Sequence, residues 1–161
     1  MGGSESQTGA SYQGVVGFML LYDMMGSDVA VNKWYGASPE SMYTFEPSRT
    51  RADNGAVNLW RLMYNIINKA NIIIDNAPEA SGSDTEKNYL IGTAKAMRGY
   101  SYFHLLMNYQ QTYAIAKDKR GVILRLHADD EPEMGFSTVG QCYEQVVADL
   151  QDAETRLASF N

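Results

Sequence analysis

The side chains able to do chemistry are few and scattered. Two histidines, His104 and His127, and one cysteine, Cys142, are the candidates for soft ligation or nucleophilic attack. No further Cys or His stands at metal-ligand spacing from them, so the sequence predicts neither a metal site nor a cofactor. Cys142 lies inside an apolar helical pattern, where a thiol reads as a small buried hydrophobe. His104 lies in an aromatic stretch and reads as a packed or hydrogen-bonded ring. The run Asp129-Asp130-Glu131-Pro132-Glu133 lacks the alternating ligands of a calcium-binding loop and reads as solvated surface. Lys95 and Arg98 sit on an otherwise apolar helix, which predicts ion pairing or snorkelling. No Gly-x-Ser-x-Gly elbow, P-loop or dinucleotide fingerprint occurs. These features predict that the chain is not an enzyme.

What remains is aromatic. Trp34, Tyr35 and Tyr43 lie in a long connection, Val29 to Arg51, where Pro39 and Pro47 exclude a continuous helix. A connection of this length inside a folded domain is more often functional or packed than idle. Flat rings here either stack on a ligand such as a sugar or cover the helices beneath. They are the candidate ligand-binding residues.

The elements that position these rings read as helices. The first spans about Tyr12 to Met25, with an apolar stripe at helical spacing and a break at Gly26-Ser27-Asp28. The second spans about Asn54 to Asn76 and is apolar on more than one face, from Leu59 and Trp60 to Ile74, with Pro78 as a stop. The third starts at Ser83, which forms a capping box with Glu86, and continues toward Tyr113. Gly92, Ala96 and Gly99 give it a small-residue face that admits a close neighbour. The segment Gly121-Val122-Ile123-Leu124 reads as a short extended piece. The fourth helix starts at Thr138, capped with Gln141, and carries a seam of Val139, Tyr143, Val146, Leu150, Ala153 and Leu157. The expected fold is all-α: about four main helices with long loops, paired in tetratricopeptide-like fashion.

The bulk numbers fit that picture. The chain has 161 residues, 45% apolar and 20% charged, which suits one domain over residues 1–161 with a flexible polar terminus over residues 1–10. Net charge is −6, which argues against a nucleic-acid partner. No apolar run approaches the length of a membrane span.

The order of motifs resembles one family. Trp60, Tyr64, Ile67, Ala70 and Asn71 form W-x3-Y-x2-I-x2-A-N. Gly92, Ala94, Lys95, Ala96, Arg98, Tyr100, Tyr102, Phe103, Leu105 and Tyr109 follow, and then the stretch from Ser137 to Ala153. Together these resemble the N-terminal part of the SusD/RagB family of nutrient-binding lipoproteins. Thr93, Gly99, Gln110 and Ile123 depart from the usual residues and mark a divergent member. The resemblance implies a glycan- or oligosaccharide-binding protein at the bacterial outer membrane. Its implied partner is a TonB-dependent, SusC-like transporter of a Bacteroidetes-type organism, to which it delivers ligand. Attachment to the membrane would be through a lipid anchor that this sequence does not carry. On the same analogy Trp34, Tyr35 and Tyr43 lie where family ligand sites often do. A tetratricopeptide-like protein-interaction module without sugar binding is the alternative.

Overall fold

The computed structural model describes residues 14–25, 54–131 and 133–158. Two compact units divide the chain, Met1–Leu62 and Met63–Asn161. In the first, α1 spans Gly14–Met25, and α2 begins at Asn54. The rest of α2, which ends at Asn76, belongs to the second unit. There a 3-10 turn (Ala77–Glu79) follows, then α3 (Asp84–Tyr109), the single turn α4 (Tyr113–Ala116) and α5 (Val139–Leu157). The all-α expectation holds, and the bounds of α2 are those read from the sequence. The long connection that carries Trp34, Tyr35 and Tyr43 lies outside the described residues.

Both predicted capping boxes form. Ser83 Oγ accepts from Glu86 N at 3.3 Å, and the Glu86 carboxylate accepts from Ser83 N at 2.8 Å. Thr138 and Gln141 repeat the exchange at 3.1 and 2.9 Å. The box leaves two first-turn amides of α5 to be satisfied. Val139 N donates to Lys119 O and Gly140 N to Lys117 O, at 2.9 and 2.8 Å. The start of α5 is thus tied to the chain just before the extended segment.

The small-residue face on α3 meets α5, as its composition predicts. A methyl group at Gly99 would stand 3.2 Å from the Leu150 side chain, and one at Gly92 would stand 3.0 Å from Leu157. The α5 seam differs from the aliphatic reading. The buried stripe is Val139, Cys142, Val146, Asp149 and Ala153, while Leu150 is 43% exposed. Cys142 and Asp149 replace Tyr143 and Leu150 because a carboxylate inside the stripe has a buried cationic partner, described below.

Helix α3 stops at Tyr109, short of the expected Tyr113. Gln110 turns to extended backbone, and its side-chain amide donates to Gly121 O at 3.0 Å. The segment from Gly121 onward is extended, as expected, but among the described residues no continuous strand lies beside it. One bridge, Arg120 with Thr138, and two bonds to Ser137 flank its start. Arg120 also places its guanidinium 3.4 Å from the centre of the Phe136 ring, bracing the same bridge.

At Gly121 the segment passes close to the start of α5. A methyl group there would lie 2.9 Å from the backbone of Thr138 and Val139. Backbone cannot swing aside as a side-chain tip can. Gly121→Ala should therefore lower stability by about 1–3 kcal/mol, the usual scale of overpacking. Urea unfolding checks this, and an unchanged midpoint would contradict the close approach.

Candidate functional site

The predicted ligand residues Trp34, Tyr35 and Tyr43 lie outside the described residues. The site that can be built is the one made by the signature motifs on α2 and α3. Its subject is the segment from Gly121 to Asp130, extended as far as Leu126 and turning over His127 to Asp129.

Tyr64 on α2 accepts from Ile123 N at 3.1 Å and donates to Ile123 O at 2.8 Å. Tyr102 on α3 does the same for Arg125, at 2.6 and 2.7 Å. A phenol is both donor and acceptor, so each hydroxyl replaces one residue of a missing strand neighbour. Residues 123 and 125 are two apart and present the same edge, as the period of an extended chain requires. Burial pushes the Tyr64 phenol up to about 12, offset by its Ile123 bond. Burial raises the Tyr102 phenol as well.

Asn71 extends the clamp. Its Nδ2 donates to Arg125 O at 3.0 Å and His127 O at 3.2 Å. Its Oδ1 accepts from Arg98 Nη1 at 2.8 Å. Arg98 is 4% exposed and Asp149 is 1% exposed. The Arg98 guanidinium grips the Asp149 carboxylate with two bonds of 2.8 and 2.7 Å. Its Nη1 also donates to Leu126 O at 2.8 Å, and Gln145 adds a bond to Asp149. One cation thereby joins α2, α3, α5 and the extended segment. The expected ion pairing of Arg98 is real, and its partner is the buried acid that hydrophobic patterning passes over.

The segment's far end is held by carboxylates. Asp130 accepts from His127 N at 3.0 Å and Leu126 N at 2.6 Å, and these bonds, His127 foremost, hold its carboxyl below the usual range. Asp75, on the last turn of α2, accepts from Ala128 N at 2.8 Å and meets His127 Nδ1 at 3.2 Å. Lys95 pairs with Asp152 at 2.6 Å, and Arg156 joins the same carboxylate at 2.9 Å. Lys95 first, then Arg156, keeps that carboxyl low.

The remaining candidates are structural too. Cys142 is fully buried, and its Sγ lies 3.6 Å from Val122 O. Burial raises its thiol, the direction of an unreactive cysteine. His104 packs on Tyr100 with ring centres 4.3 Å apart, and burial lowers its imidazole. Among the described residues no three His, Cys, Asp or Glu side chains gather as a metal site would need. The network binds backbone: its hydroxyls, amide and guanidinium face the protein's own chain.

Two outcomes test this geometry. Arg98→Met leaves Asp149 buried without its counter-ion and should cost about 3–5 kcal/mol in urea unfolding. A loss under about 1 kcal/mol would contradict a buried pair. The Tyr64 pKa gives a sign for alkali. Its folded value lies above the ordinary 10.0, so its contribution is whole below pH 10.0 and is lost as pH rises through about 12. Melting temperature should therefore fall more steeply over that window in the unaltered chain than in Tyr64→Phe. Equal slopes would show that this phenol ionises without resistance.

Comparison with known proteins places these residues. The sequence matches the family model SusD-like_3, described as starch-binding associating with outer membrane, over residues 12–159. A SusD-like carbohydrate binding protein from Bacteroides vulgatus ATCC 8482 is similar in structure, with a TM-score of 0.77 and 28% identity. The match covers 96% of this chain and 32% of that one. A second protein of the same organism, named for sugar binding, has a TM-score of 0.61 and 28% identity, over 71% of this chain and 26% of its own. Among curated proteins no sequence matches. The chain thus spans about a third or less of its structural neighbours. Among the described residues no helix is long and apolar enough to cross a membrane. The motif residues that build the clamp all lie inside the matched span, and the chain belongs to the SusD-like family.

Proposed function

We propose that this chain is the N-terminal part of a surface-exposed outer-membrane lipoprotein that binds a glycan and passes it to a TonB-dependent transporter. The observation that carries the reading is the family match over residues 12–159, whose description couples starch binding to the outer membrane. The neighbours named for carbohydrate or sugar binding support the ligand class. In this reading Trp34, Tyr35 and Tyr43 stack on sugar rings, and the protein binds without transforming its ligand. Helices α2, α3 and α5 serve as a rigid frame.

A second reading has its own observation. Leu90, Met97 and Met107 along α3 are 47%, 41% and 54% exposed. Apolar residues left open along one helix suit a protein-interaction module of tetratricopeptide type.

A glycan array probed with the purified chain tests the first reading. Binding to at least one glycan class is expected, weakened about tenfold or more by Trp34→Ala, the scale of one good contact. An array with no bound glycan would sink the ligand assignment and leave the interaction module. Co-purification of an outer-membrane barrel from the native organism tests the transporter separately.

A further inference from the structure

Away from the clamp, a groove of about 410 Å³ runs between α4 and the outer face of α5. Tyr113 of α4 lines it together with Tyr143, Glu144, Val147 and Gln151 of α5. Sites for small molecules have this make-up: mostly apolar and aromatic walls with a few polar groups.

The two tyrosines stand edge to face, with ring centres 5.4 Å apart and planes at 88°. Such a pair uses one face of one ring and one edge of the other, leaving ring faces for a ligand. Tyr113 is 42% exposed and Val147 is 50% exposed. Gly140, also in the lining, packs closely: a methyl group there would stand 3.2 Å from Lys117, just beyond α4.

The polar groups decide what fits. Tyr64 and Tyr102 each commit their hydroxyl to one donor and one acceptor of the backbone. Among the described residues the side-chain polar atoms of Tyr113, Tyr143, Glu144 and Gln151 have no such protein partner. Two phenols, a carboxylate and an amide therefore border one apolar groove with their hydrogen bonds open. The apolar face of a docked helix would cover the rings but strand the carboxylate and the amide, an unfavourable burial. A pyranose ring lays C–H groups on the aromatic surface and offers hydroxyls to both polar groups. The Glu144 carboxylate favours a neutral sugar over an acidic one by charge.

We propose that this groove is a carbohydrate subsite for one neutral pyranose ring of an oligosaccharide. It rests on the glycan-binding reading above and adds a position distant in sequence from Trp34, Tyr35 and Tyr43.

The test is calorimetric titration of the full 161-residue chain with maltoheptaose, beside Tyr113→Ala, Gln151→Ala and Trp34→Ala. Tyr113 and Gln151 are exposed, so these variants should melt like the unaltered chain. The expected result is about tenfold weaker binding for Tyr113→Ala, with a smaller loss for Gln151→Ala. An oligogalacturonate of similar length should bind more weakly than maltoheptaose. If Trp34→Ala weakens binding while both groove variants match the unaltered chain, the groove proposal falls and the glycan reading stands. If the unaltered chain does not bind maltoheptaose, both fall for this ligand class. A dimer seen in sedimentation that Tyr113→Ala dissolves, with sugar affinity unchanged, would make the groove a self-association surface and overturn the proposal.

Discussion

The buried guanidinium of Arg98 is the constraint on which the second unit depends. It reaches Asp149 on α5, Asn71 on α2 and the carbonyl of Leu126 through bonds of 2.7 to 2.8 Å. A buried ion pair contributes little net stability when compared with a well-packed apolar replacement. Its value here is geometric. A planar fork with several donors fixes three partners at once, which a lysine ammonium on a flexible stem does not do. The helices can pack in one register only if Asp149 meets Arg98, and that register brings Gly99 against Leu150.

The extended segment follows from the same constraint. A chain crossing a helical layer carries amides and carbonyls that no ladder satisfies. Side chains from α2 and α3 supply the partners: Tyr64, Asn71 and Asp75 from one, Arg98 and Tyr102 from the other. Two helix faces thereby define one backbone path, with no sheet among the described residues. The motif residues inside the span matched by the family model build this scaffold. In the proposed function, ligand chemistry is left to the aromatics in the connection before α2 and to the groove beside α4.

Much of this was legible in the sequence, and the failures have physical causes. The capping boxes at Ser83 and Thr138 mark helix starts because their bonds are local, spanning three residues. Pro78 likewise marks an end. On α5 Val139, Val146 and Ala153 are buried as the spacing predicts, but aliphatic spacing favours Leu150 where the buried position is Asp149, a charge paired by Arg98, 51 residues away in sequence. Tyr64 and Tyr102 were visible as motif letters, but their hydroxyl partners, 59 and 23 residues distant, were not. The early end of α3 depends on Gln110 reaching Gly121, another contact that no local pattern carries.

The central claim is that the motif side chains hold the Gly121–Asp130 backbone as firmly as a strand neighbour would. Amide hydrogen exchange of Ile123 and Arg125 tests it most directly, since their N–H groups donate to the hydroxyls of Tyr64 and Tyr102. The account predicts exchange as slow as that of the buried α3 amides around Tyr102, opening only with the unit as a whole. Exchange at the rate of a solvated loop would contradict it, and would mean that the phenols touch the segment without fixing it.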